Sequence, residues 1–215
     1  DMLQYHGLEL NPPGADHATL IMPRTDSEAD QLFYYESTYD RYDSYESTPW
    51  DDSRDDPELM LVALRDMGNA ETPPLVIANH PSRSGTVENR YGRYEPAELR
   101  DWNDSAPNVA VGFAGAPGHQ AVTLAPDGSL LADRPRGAFG GQATMGGFDP
   151  MTARIGGLWD AFLGEGRRWW ITANSDSHRH YTEQDVDFWP GEYSKTWVYA
   201  SHTYGGVLGA IRNGR

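Results

Sequence analysis

The chain has 215 residues and no cysteine, which excludes a disulfide framework, zinc ribbons and thiol catalysis and leaves His and carboxylate side chains to form any metal site. A formal net charge of −15 argues against nucleic acid as a general partner, because phosphate backbones are drawn by Lys and Arg clusters. No apolar run is long enough to span a bilayer and the opening residues lack the pattern of a signal peptide, so the expectation is one soluble domain with its own core.

In chain order, Gly7 to Leu10 reads as a strand, Asn11-Pro12-Pro13-Gly14 as a turn, and Ala18 to Met22 as a second strand. Residues 25–56 are rich in Tyr, Asp, Glu and Ser without sustained period, which predicts a solvated insertion, with a tyrosine-built lid or partner surface as the other reading. Asp56-Pro57 supplies a helix cap and first-turn proline, and Met60, Leu64 and Met67 follow at helical spacing. Leu75 to Asn79 is a compact apolar strand ending in His80-Pro81. Glu95-Pro96 opens a helix to about Trp102, and Asn108 to Phe113 is the next strand. Helix then strand, twice, implies a parallel sheet.

Val122-Thr123-Leu124 and Leu130-Leu131 flank Asp127-Gly128 as a hairpin, and Gly137 to Gly147 reads as a flexible glycine-rich connection without the lysine-terminated phosphate-loop pattern. Asp149-Pro150 caps a helix with Met151, Ile155, Leu158, Trp159 and Phe162 on one face. Strands 169–173 and 196–200 and a helix around Val207, Leu208 and Ile211 complete the chain.

Two strings carry the chemistry: Leu75-Val76-Ile77-Ala78-Asn79-His80-Pro81 and Trp169-Trp170-Ile171-Thr172-Ala173-Asn174-Ser175-Asp176-Ser177-His178. Each is an apolar strand that breaks after Ala-Asn into residues able to hold a metal, the place where α/β folds gather ligands at strand carboxyl ends. Asp176 and His178 alternate by two, so an extended backbone points both to one side. His17 follows Glu9 across a turn, which can bring the two into one crevice. Glu9, His17, His80, Asp176 and His178 are therefore the candidate ligands, a donor set that suits zinc, manganese or iron. Arg83 and Arg179 can pair with a substrate oxygen or form ordinary surface salt bridges. His119, past a strand end, is the candidate proton donor to a leaving group, against a loop histidine with no such role.

The ordered set Gly7-Leu8-Glu9, His17, Asn79-His80-Pro81-Ser82-Arg83, Ser175-Asp176-Ser177-His178-Arg179 and the stretch from Lys195 to Arg215 resembles the polymerase-and-histidinol-phosphatase (PHP) metallohydrolase family over nearly the whole chain. The resemblance implies a distorted (β/α)7 TIM-like barrel holding two or three divalent metal ions and, most often, phosphoester hydrolysis by a metal-activated hydroxide. It matches Glu9 to a bridging carboxylate, His17 and His80 to imidazole ligands, and Asp176 and His178 to the closing pair. The family's opening His-x-His strand has no counterpart before Gly7, and His6 does not replace it. A full barrel takes about 250 residues, so a barrel incomplete at its N-terminal end is expected, with either an unfilled gap beside strand 7–10 or a separate segment or chain completing it, or else a domain that has lost part of its centre.

Three functions follow as expectations: hydrolysis of a small, anionic phosphoester; hydrolysis of a carbamate, amide or carboxylic ester at the same centre; or a non-catalytic binding module with a partial metal site. Neither a membrane nor general nucleic-acid binding is expected.

Overall fold

In a computed structural model of the chain, residues 2–42, 54–83, 92–117, 148–176 and 194–215 are described. Strands β1 (Gly7–Leu10) and β2 (His17–Ile21) come first, then helices α1 (Glu28–Tyr39) and α2 (Pro57–Asn69). β3 (Leu75–Asn79), α3 (Pro96–Ser105) and β4 (Ala110–Pro117) follow. The last elements are α4 (Pro150–Ala153), α5 (Leu158–Gly164), β5 (Trp170–Asn174) and α6 (Tyr204–Arg212). The helix starts follow local chemistry. Asp56 accepts a hydrogen bond from Glu58 N at 3.0 Å, and Asp149 accepts one from Met151 N at 2.8 Å, each ahead of a first-turn proline.

The strands form one open sheet in the order β1-β2-β3-β4-β5. β2 runs antiparallel to both neighbours, while β3, β4 and β5 are mutually parallel. The (β/α)7 barrel expected from the family resemblance, N-terminally incomplete or otherwise, is thereby overturned. The physical reason lies in the link 11–16, which turns β1 straight into β2 and leaves no room for a crossover helix. Ala15 N bonds Pro12 O at 3.1 Å inside that link, and Gly14 adopts φ +81°, a conformation that glycine takes without steric cost. A barrel of that type needs every strand parallel and followed by a helix.

Strand alternation divides the sheet into two unlike faces. Leu10, Ala18, Leu20, Val76, Ala78 and Phe113 pack into the larger core with Met60 and Leu64 of α2, Trp102 of α3 and Phe162 of α5. On the other face Leu75, Ile77 and Val111 meet Leu208 of α6, with Ile21 and Trp170 beside them. Glu9, Thr19, His17 and Asn79 follow from the cross-strand registers Glu9↔Thr19 and His17↔Asn79 and share this second face. The large core thus supports the sheet from behind, and polar side chains crowd one end of its more open side.

Three local differences from the sequence reading have physical causes. Within segment 25–56, α1 forms and buries Tyr35 and Tyr39. Its weak apolar period hid a helix that packs through aromatic rings, with Tyr39 Oη donating to Asp66 at 3.0 Å. The single helix expected from Pro150 to Phe162 is two, broken at Gly156 (φ +72°) and Gly157, and Ile155 turns out to be 96% exposed. Residues 196–200 lie beside β5 without joining its ladder, because the Thr196 hydroxyl takes both backbone groups of Ala173 at 2.8 Å. The expected hairpin at 122–131 and the glycine-rich loop at 137–147 lie outside the described residues.

Candidate metal centre

β1, β3 and β5 all run toward the same end of the sheet, and the hairpin returns β2 from it, so Glu9, His17, His80 and Asp176 arrive there from four strands. Fully buried Tyr94 donates its hydroxyl to the backbone oxygen of His17 and pins the start of β2. His80 takes φ 29° and Asp176 φ 47°, both in the left-handed region that side chains seldom occupy. The chain reverses sharply as it leaves β3 and β5, and these two residues turn back over the strand ends.

One ligand atom each of Glu9, His17 and His80 lies within 4.8 Å of the others. Glu9 Oε1 is 3.2 Å from His17 Nδ1 and 3.9 Å from His80 Nε2. Asp176 Oδ2 approaches the same His80 Nε2 at 4.0 Å. Glu9, His17 and His80 therefore form one close group with Asp176 at its margin against His80, and side-chain exposure is 2% at His80 and 42% at Glu9. The centre is closed behind His80 and open beside Glu9, which gives a ligand a route in.

The protonation states favour ligation. Burial, reinforced by the Arg83 guanidinium, pushes the His80 pKa down to about 4, so its imidazole is neutral near pH 7 and has a lone pair to donate. The hydrogen bond and charge of His17, with help from the Asn79 amide, hold Glu9 below the usual carboxylate range against the opposing effect of burial. Asn79 Nδ2 donates to Glu9 Oε1 at 3.0 Å, and the Thr19 hydroxyl donates to Asn79 Oδ1 at 2.8 Å. Thr19 thus fixes which way the Asn79 amide points, and Asn79 fixes the carboxylate. Two imidazoles and two carboxylates fit a divalent transition ion of the zinc, manganese or iron kind.

Arg83 makes a two-pronged pair with buried Asp16, Nη2 to Oδ1 at 2.8 Å and Nε to Oδ2 at 3.3 Å. His178, Arg179 and His119 lie outside the described residues. Sequence reading passed over Asp16 and Thr19, and gave Asn79, quoted within a motif, no role of its own. Asp16 stands next to His17 and reads as the end of a turn, whereas Thr19 and Asn79 become visible only once the strand register pairs them across the sheet.

Comparison of the chain with protein-family models, with curated proteins and with solved structures finds no match. A functional reading accordingly rests on these side chains and their sequence context.

Proposed function

We propose that this chain is a metal-dependent hydrolase in which Glu9, His17, His80 and Asp176 hold a divalent transition-metal ion next to a phosphoester substrate. The observation that carries the reading is the approach of Glu9, His17 and His80 ligand atoms to within 4.8 Å of one another at the strand ends. The Asp-x-His and Asn-His-Pro steps, which resemble the PHP metallohydrolases in sequence, supply the reaction class. A divalent ion in such a site lowers the pKa of a bound water and polarises the bond to be cleaved.

The protein's own work is to bind and orient. Buried His80 offers a neutral nitrogen, and Asn79 keeps one Glu9 oxygen turned toward both imidazoles. The exposed side of Glu9 leaves room for water and substrate. The sheet end makes the site rigid, because each group leaves a strand or the first residues beyond one.

One observation favours a second reading, cleavage of a neutral carbamate, amide or carboxylic ester. Arg83, expected as an anion-binding group, is taken up by Asp16, and Glu9 with Asp176 would together cancel the charge of a single divalent ion.

Purified protein loaded with Zn, Mn or Fe, analysed for metal and assayed on a phosphomonoester, a phosphodiester and an aryl carbamate, tests both. Bound metal in stoichiometric amount and chelator-sensitive turnover of a phosphoester are expected. His80→Ala should release the metal and lower turnover by more than the roughly 10–100-fold typical of an outer-shell change. Turnover of the carbamate alone would establish the second reading. Wild-type protein that binds none of the three metals, or His80→Ala that retains metal and activity, would overturn the proposal.

A further inference from the structure

Each imidazole of the centre has a second nitrogen, and both of these point toward the same carboxylate. His17 presents Nδ1 to Glu9, and its Nε2 lies 3.8 Å from Asp16 Oδ1. His80 presents Nε2 to Glu9 and Asp176, and its Nδ1 lies 3.9 Å from Asp16 Oδ2. Asp16 comes from the link between β1 and β2, on the far side of the two rings from Glu9. Arg83 grips both of its oxygens and holds it in place.

We propose that Asp16 is the positioning residue of this centre, one carboxylate that receives the outward N–H of both His17 and His80 and so fixes their tautomers and ring orientations for ligation. The inference rests on the metal reading above and adds to it the role of a residue outside the ligand set. It also assigns Arg83 a different task from substrate binding, that of clamp on Asp16.

The chemistry requires such a group. A neutral imidazole that ligates through one nitrogen carries its proton on the other, and that N–H is commonly given to a carboxylate or backbone oxygen. Which nitrogen stays free is then decided by the outward acceptor. With Asp16 outward, His17 would carry its proton on Nε2 and ligate through Nδ1, the metal replacing the proton that this nitrogen turns to Glu9, and His80 would ligate through Nε2, which also faces Glu9 Oε1. The separations of 3.8 Å and 3.9 Å are roughly 1 Å longer than a hydrogen bond and have to shorten for the proposed N–H contacts to form.

The Arg83 pair makes Asp16 suited to this work rather than to ligation. Its charge is balanced locally by a guanidinium, so it adds no net negative charge beside Glu9 and Asp176. Arg83 binds both Asp16 oxygens, and each of those oxygens also faces one imidazole nitrogen.

Two measurements test the proposal. Long-range proton–nitrogen NMR on Zn-loaded wild-type protein reads the tautomers directly. Protons on His17 Nε2 and His80 Nδ1 are expected, and protons on the opposite nitrogens would overturn the proposal whether or not any variant folds. Co(II) titration with visible spectroscopy on Asp16→Asn and Arg83→Gln is the second. Asp16→Asn can accept from only one imidazole, and should bind Co(II) about 10–100-fold more weakly with a shifted ligand-field band. Arg83→Gln keeps the acceptor but loses the clamp, and should bind Co(II) more weakly than wild type and more tightly than Asp16→Asn. A merely structural Asp16–Arg83 pair would lower thermal stability in both variants and move neither band. Wild-type affinity and band in Asp16→Asn overturn the positioning role alone, whereas wild-type protein that binds no Co(II) removes the metal reading and this inference with it.

Discussion

The two candidate ligands just beyond β3 and β5 are also the non-glycine residues with positive φ among the described residues, His80 and Asp176. Backbone of this kind persists only where neighbouring bonds impose it. At His80 the imposing bonds are its N–H to Ala114 O at 3.3 Å and its carbonyl, which accepts from Arg83 N at 2.9 Å. The geometry sacrifices stability for the placement of an imidazole. His80→Ala and His80→Gly both remove the ring, yet only glycine adopts that conformation freely. In urea denaturation, His80→Gly should therefore be more stable than His80→Ala by about 1 kcal/mol. Equal stabilities would mean that the turn carries no strain. That His17 and His80 stand close together was legible because imidazoles beside strand ends are conspicuous. Asp16 was not, because an aspartate after Pro-Gly-Ala has an ordinary explanation as a turn residue.

At the scale of elements, Asp149 joins two pieces of chain that the sequence keeps far apart. Its carboxylate caps α4 and also accepts from Ser82 N at 2.8 Å and Ser82 Oγ at 2.6 Å, tying the loop after β3 to the helix that precedes β5. The cap was readable from Asp149-Pro150, but the bond to Ser82 was not, since nothing local links positions 67 residues apart. Complete burial outweighs these hydrogen bonds and pushes the Asp149 pKa up to about 6. Because the folded value lies above the unfolded one, the folded chain holds more protons between about pH 4 and pH 6. Its stabilising contribution is full below the unfolded pKa and is lost as pH rises through the folded one. Asp149→Asn cannot ionise and keeps oxygen as an acceptor. The stability of the native protein relative to Asp149→Asn should thus fall by about 2 kcal/mol between pH 4 and pH 6.5 and stay nearly level above that range. Denaturation of both proteins across the range measures it, and parallel curves would show that Asp149 titrates normally. The same region shows where helical periodicity misleads. Ile155 completes an apolar face on paper, but Gly156-Gly157 ends the helix before that face can form.

At the scale of the whole molecule, the error over the barrel and the success over the strands have one source. The apolar runs 75–79 and 169–173 mark real parallel strands, and the motifs that follow them converge as parallel strands make them do. The turn Asn11-Pro12-Pro13-Gly14 was equally visible, and by itself it specifies an antiparallel hairpin that a barrel of parallel units cannot contain. Resemblance in ligand motifs reports on the chemistry of an end of a sheet. It carries less information on how the rest of the sheet closes.

An open sheet has to manage its edges, since unpaired backbone groups invite pairing with another chain. At the β5 edge, among the described residues, Thr196 meets this need with one hydroxyl that donates to Ala173 O and accepts from Ala173 N, both at 2.8 Å. The same segment carries Trp197 and Tyr199 at 86% and 88% exposure, so it stands against the edge while showing its aromatic rings to solvent. If a second copy displaced this segment, it would gain both a strand edge and adjacent aromatic surface. Thr196→Val preserves shape and removes only the hydroxyl. It should cost about 1 kcal/mol, which corresponds to a fall in Tm of roughly 2–4 °C at this chain length. It should also raise the weight-average mass in light scattering above that of the native protein at equal concentration. Unchanged mass and stability would mean that the edge is protected by something other than Thr196.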